Sequence, residues 1–136
     1  MSERTGTVGG MSPLPGLSAT TSLVVTESDT AAEVGSGSVP VLATPRLLAL
    51  CEAATVAAVA DHVGDDATTV GVQVQLDHVT PSPVGRAVTA EATLDKVAGR
   101  KLYFTVAAHD NRGLIAAGKV TRVMVTTAEF LAKCQD

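Results

Sequence analysis

The segment from Leu47 to Val63 constrains this chain most. It is dense in Leu, Ala and Val, and between Arg46 and Asp61 its only charged residue is Glu52. Thr44-Pro45 opens it as a helix, with Thr as N-cap and Pro at the first helical position, and Gly64 closes it. A surface helix carries charge along one face, whereas a helix apolar on nearly every face is a buried one. The rest of the chain must therefore wrap around it.

The residues after the helix are suited to wrapping. Val70, Val72, Val74 and Leu76 alternate with Gly71, Gln73, Gln75 and Asp77, the period-two pattern of a half-buried strand. Thr80-Pro81-Ser82-Pro83 turns the chain into a strand over residues 84–97. Ala98-Gly99-Arg100 then makes a hairpin into residues 101–109, with Leu102, Phe104, Val106 and Ala108 on one face. Asp110-Asn111-Arg112-Gly113 leads into a last strand over 114–125. Before the helix, the β-branched run around Thr20–Thr26 reads as a first strand within residues 17–28. Residues 29–43, with Gly35-Ser36-Gly37-Ser38 and Pro40, read as a mobile loop. Thr126 and Glu129 resemble a capping box for a short terminal helix. The order is strand, long helix, then four antiparallel strands. The expected class is α+β, a five-stranded antiparallel sheet wrapped around one long buried helix, which is the hotdog arrangement.

Length and charge set the remaining bounds. The chain has 136 residues, the size of one domain of about 100–150 residues. Residues 1–16, rich in Gly, Ser, Thr and Pro, read as a disordered leader to a domain over 17–136. The core must be built from Val, Leu and Ala, because the chain has two Phe, one Tyr and no Trp. A net charge of −4 with no basic run argues against nucleic acid. No apolar run approaches the roughly 20 residues of a membrane span, and no signal-peptide core is visible. Cys51 and Cys134 sit in unrelated contexts and suggest neither a zinc site nor a disulfide framework. A cytoplasmic setting is the expectation.

Few residues can carry chemistry. An unpartnered carboxylate buried in such a helix costs several kcal/mol, roughly, even after relaxation. Glu52 must therefore reach a subunit seam, pair with an Arg, or serve as a base or nucleophile. His78 continues the phase of Val72, Val74 and Leu76, which turns it toward the helix that holds Glu52. It is either a hydrogen-bonded core histidine or a proton carrier. Thr44 is a structural cap, or a hydroxyl set beside the free N–H groups of a helix start, where negative charge is favoured. Gly71 permits close backbone approach by a ligand. Arg122 shares a face with Val120 and Met124 and reads equally as an edge charge. His62 and His109 gain nothing from their contexts, and no metal-ligand spacing links the three histidines.

These residues fall into a pattern that resembles the fluoroacetyl-CoA thioesterase group of the hotdog superfamily. The resemblance covers roughly residues 17–130. It rests on Leu42-Ala43-Thr44, Leu50-Cys51-Glu52-Ala53, and Gly71 with His78 seven residues on. Beyond these come the turn from Thr80 through Pro81 and Pro83 to Gly85, Ala108-His109-Asp110, and Gly118 with Arg122. The resemblance implies Thr44, Glu52 and His78 as the catalytic set, with Gly71 against the thioester carbonyl and Arg122 supporting the site. It implies an acyl-CoA substrate, no separate cofactor (coenzyme A being part of the substrate), no metal, and a homodimer or a tetramer of paired dimers. Two departures bear on substrate. Residues 29–43 contain no aromatic where the family's fluoroacetyl specialist has gating phenylalanines, and Pro45 stands where the specialist has Gly. The expected acyl group is therefore another small or medium one. Other activities hosted by such a fold are an acyl-CoA-binding module without turnover and an enoyl-thioester hydratase or dehydratase.

Overall fold

Alternation of apolar and polar side chains organises the sheet. In the computed structural model, which describes residues 12–136, five strands form one antiparallel sheet: β1 (Ser18–Val24), β2 (Ala67–His78), β3 (Ala87–Ala98), β4 (Lys101–Asp110) and β5 (Gly113–Thr126). Their spatial order is β1-β3-β4-β5-β2, so β1 and β2 are the edges. On β3, Val88, Ala90, Ala92 and Leu94 are buried, and on β4 Leu102, Phe104, Val106 and Ala108 are buried. These inward rows pack against the long helix, as the alternation on β4 predicts.

Three α-helices accompany the sheet among the described residues: α1 (Ala31–Val34), α2 (Thr44–Val59) and α3 (Thr127–Ala132). Helix α2 buries Leu47, Leu50, Cys51, Ala54, Thr55, Ala58 and Val59, a spacing that marks one helical face. Its opposite side, with Ala49, Ala53, Val56 and Ala57, is exposed. The expectation of a helix buried all round is thus corrected for the single chain: small apolar residues cover both faces, and only one meets the sheet. The helix also ends earlier than Val63, passing into a 3-10 turn at Ala60–His62.

Three further differences from the sequence reading have local causes. The first strand stops at Val24, where a capping box of Thr26 and Asp29 starts a 3-10 turn. Residues 29–43 are not an unstructured loop. Thr30 caps α1 through its hydroxyl, Gly35 ends it in the left-handed conformation, and Thr30 and Val41 make bridges to Leu42 and Pro83. Thr126 stands at the start of α3 without a side-chain capping bond. Most of the expected leader, residues 1–11, lies outside the described residues; Pro13 is buried and the Gly16 N–H donates to the Leu94 carbonyl. No described helix is long and apolar enough to cross a membrane.

Strand β2 carries the irregularity that matters for the site. Its pairing with β5 slips between Gly71 and Gln73, a bulge at Val72 that inverts the side-chain phase upstream. Val70 and Val72 therefore do not share the inward face of Leu76 and His78. Gly71 and Thr69 do, and Val72 is left 55% exposed. Beyond the bulge, Gly118 on β5 pairs with Leu76, and a Cβ at Gly118 would overlap the Gln75 carbonyl. Only glycine lets β2 lie that close to β5.

Candidate active site

Two clusters of polar groups sit on the helix side of β2, and α2 contributes one residue to each. At its N-terminus the capping position is Ala43, with no side-chain cap. The Thr44 side chain is thereby free to face β2. Its Oγ1 lies 2.8 Å from His78 Nδ1, and either group is the donor depending on the imidazole tautomer. The expected role of Thr44 as N-cap is corrected: a residue already inside the first turn, followed by Pro45, directs its hydroxyl sideways. Helix starts leave N–H groups without intrahelical acceptors, so negative charge near Thr44 is favoured.

His78 is half-buried. Burial pushes its pKa below the ordinary histidine value, against the Thr80 carbonyl, which favours the charged form. His78 Nε2 is buried and has no hydrogen-bond partner among the described residues. Beside the pair lies a cavity of about 290 Å³ whose lining includes the apolar Ala31, Val39, Leu42 and Val79 and the polar Ser36 and Thr80. Aliphatic side chains of the 31–42 segment thus form one wall of the space next to the Thr44 hydroxyl.

The second cluster is two turns along α2. Glu52 Oε2 accepts a hydrogen bond from an Arg122 guanidinium nitrogen at 3.1 Å; the Arg122 side chain is 8% exposed and that of Glu52 is 35% exposed. Arg122 is held further by Thr69, its Nε donating to the hydroxyl and a terminal nitrogen to the carbonyl, each at 2.9 Å. Burial lowers the Arg122 pKa and the Glu52 carboxylate opposes that shift, and the guanidinium remains a cation. Gly71 faces the same carboxylate: a Cβ there would sit 2.6 Å from Glu52 Oε2. Its backbone φ is unexceptional, so the requirement for glycine is one of space. Burial, and secondarily the Glu52 charge, push the neighbouring Cys51 thiol up to about 11, which keeps it protonated and unreactive at neutral pH.

The structure therefore joins Thr44 with His78, and Glu52 with Gly71 and Arg122, but does not join the two sets within one chain. Eight residues of helix separate Thr44 from Glu52, about 12 Å of axial rise. The expected pairing of Glu52 with His78 is absent within the chain, because His78 stands at the far end of β2 from Gly71. Thr69 was not singled out by the sequence. Only the bulge turns it inward, and the pairing register of β2 would have been needed to find it.

Comparison with known proteins agrees with the fold. The family described as fluoroacetyl-CoA-specific thioesterase matches residues 25–128. The fluoroacetyl-CoA thioesterase of Streptantibioticus cattleyicolor is 33% identical over 96 residues, covering 71% of this chain and 69% of that protein. A solved structure of the fluoroacetyl-CoA thioesterase superposes with a TM-score of 0.84 at 28% identity, over 90% of this chain and 95% of that one. A thioesterase-superfamily protein of Thermus thermophilus gives a TM-score of 0.81 at 26% identity, over 88% of each chain. The class defined by the fold and these likenesses is that of the hotdog thioesterases. Within it, the chain belongs to the fluoroacetyl-CoA-specific thioesterase family, and its reaction is hydrolysis of an acyl-CoA thioester.

Proposed function

We propose that Thr44 and His78 of one chain act with Glu52, Gly71 and Arg122 of a second copy to hydrolyse a small or medium acyl-CoA. The single observation carrying this is the separation of the two clusters: a hydroxyl–imidazole pair whose Nε2 lacks a partner among the described residues, and a carboxylate pinned elsewhere. The free edge of β2 supplies a way to bring them together. Val72 and Val74, near its middle, are 55% and 44% exposed, and an exposed apolar edge strand is a template for pairing with another strand. Antiparallel pairing of β2 with its own copy, about a two-fold axis near the middle of the strand, brings the Gly71 end of one copy toward the His78 end of the other. Glu52 follows Gly71 to that position.

In such a site the thioester carbonyl lies against Gly71 and the α2 N-terminus, where N–H groups and Arg122 stabilise the developing oxyanion. Glu52 takes the proton of the attacking water. The C–S bond breaks as the tetrahedral intermediate collapses, and the proton taken by Glu52 is relayed through the neutral His78 ring to the departing CoA thiolate. Thr44 holds the imidazole in position. The aliphatic wall beside Thr44, without aromatics, suits a small or medium aliphatic acyl group rather than fluoroacetyl, which is the substrate named for the relatives.

Thiol release from a panel of acyl-CoAs tests this, comparing wild type with Thr44→Ala and Glu52→Ala. Each variant alone is expected to be inactive, and mixing them is expected to restore part of the activity, since a mixed dimer keeps one intact site. Full activity in the single variants, or no recovery on mixing a demonstrated heterodimer, would count against the shared site. Crotonyl-CoA losing its enoyl absorbance without free thiol would point instead to hydration.

A further inference from the structure

A guanidinium offers five N–H donors in one plane, and beside a carboxylate it commonly takes both oxygens through two parallel bonds. Arg122 does not take Glu52 that way. Only its Nη1 reaches the carboxylate, 3.1 Å from Oε2, and no hydrogen bond to Oε1 is made among the described residues. The cause is Thr69. Its hydroxyl accepts from Arg122 Nε and its carbonyl from Nη2, each at 2.9 Å. One residue thereby occupies a whole side of the guanidinium fork. The Arg122 side chain is 8% exposed, so these contacts, and not water, set its orientation.

Nη1 is the corner left to face the site. A Cβ at Gly71 would stand 3.4 Å from Nη1 and 2.6 Å from Glu52 Oε2, which puts that nitrogen beside the carboxylate and the Gly71 backbone together. Thr69 and Gly71 lie two residues apart on β2 and so share a face, turned inward by the bulge at Val72. Clamp and glycine therefore move as one piece of backbone. Other threonine hydroxyls lack this reach. Thr55 donates to the backbone carbonyl of Glu52 within α2, and Thr105, on the outer face of β4, joins Asp95 and Lys119.

We infer that Thr69 is a positioning residue: it holds Arg122 so that the guanidinium meets one Glu52 oxygen only, leaving Oε1 to take the proton of the attacking water. This rests on the proposed role of Glu52 as the base. Without the Thr69 hydroxyl, Arg122 Nε–H loses its acceptor, and the guanidinium can pivot about the remaining carbonyl bond to grip both carboxylate oxygens.

The test is acyl-CoA hydrolysis, using the acyl group that wild type turns over best, by Thr69→Val, Thr69→Ala, Thr69→Ser and, as a control for loss of a strand hydroxyl, Thr105→Val. The valine and alanine variants differ in bulk and share the missing hydroxyl, so a loss common to both belongs to the hydroxyl. Both are expected to lower kcat roughly ten- to hundred-fold, the scale for a slightly misplaced reacting group, with KM little changed. Thr69→Ser and Thr105→Val should stay near wild type. The Nε–H resonance of Arg122 in protein carrying isotope-labelled arginine, identified by its absence in Arg122→Lys, gives a direct view. It should exchange slowly with solvent in wild type and Thr69→Ser, and rapidly in Thr69→Val and Thr69→Ala. Wild-type kcat in either folded hydroxyl-free variant would overturn the role, as would a raised KM in place of the lowered kcat, or no recovery in Thr69→Ser. Rapid exchange in wild type itself would overturn it without any variant. Failure of the Glu52 assignment reads differently: Glu52→Ala would then keep its turnover, whatever the Thr69 variants do.

Discussion

The Thr44 hydroxyl and His78 Nδ1 lie 2.8 Å apart, joining residues 34 positions apart in the chain, and Ala43 rather than Thr44 occupies the capping position of α2. A threonine cap replaced by alanine costs about 1 kcal/mol. Because Thr44 does not cap, Thr44→Ala should change stability by no more than about 0.5 kcal/mol. Hydrolysis should fall roughly 10²- to 10⁴-fold, the range for losing a positioned proton-transfer partner, and Thr44→Ser should recover much of it. Urea melts and thiol release on the same samples check both halves; a large stability loss with modest kinetic change would return Thr44 to a structural role.

The half-buried state of His78 fixes the sign of a pH effect. Burial disfavours the imidazolium, so the ring stays neutral to a lower pH than an ordinary histidine near 6.5. kcat/KM should hold steady below pH 6.5 before its acidic limb begins, and that limb should be absent from whatever activity His78→Gln retains. Stability has the same sign. The unfolded chain takes up the proton first, so the His78 contribution is present above pH 6.5 and is lost as pH falls through the lower folded value. An acidic limb above 6.5 would show that burial is not what governs this group.

Gly71 makes a sharper test than either charged neighbour. Glu52→Ala would leave the Arg122 guanidinium buried without its carboxylate, costing about 1–3 kcal/mol, so lost activity there mixes chemistry with stability. Gly71→Ala keeps every charge and inserts one methyl group 2.6 Å from Glu52 Oε2. The carboxylate must move by some tenths of an ångström, and Glu52 is 35% exposed, so it has room to do so. We expect at least ten-fold lower kcat with a stability loss near 1 kcal/mol, the low end for overpacking. Unchanged kcat in a folded Gly71→Ala variant would remove Glu52 from the reacting centre.

Much of the fold was legible because it repeats. The rows Leu102-Phe104-Val106-Ala108 on β4 and the Leu/Ala density of α2 state their burial directly. The site was legible as a set of residues and less so as a geometry. A bulge at Val72 leaves no mark in an unbroken valine alternation, yet it decides that Gly71 and Thr69 face the helix. Thr44-Pro45 has the form of a cap, and only the backbone of Ala43 shows that the cap is one residue earlier. The 31–34 turn was hidden among glycines and serines, because four helical residues are too few to show a period. The distance between Glu52 and His78 could not be read at all, since it depends on how far each lies along its own element.

That distance has a mechanical side. Thr44 and Glu52 ride on one uninterrupted helix, and in a paired assembly they would belong to different reaction centres. A displacement of α2 along its axis would then alter both centres together, as a rigid rod fixed at two points moves both when pushed. Occupancy at one centre that draws the helix toward its substrate would be felt at the other without any wire of intervening side chains. In such an assembly the coupling between the two centres would depend on how stiffly the sheet grips the buried face of that helix.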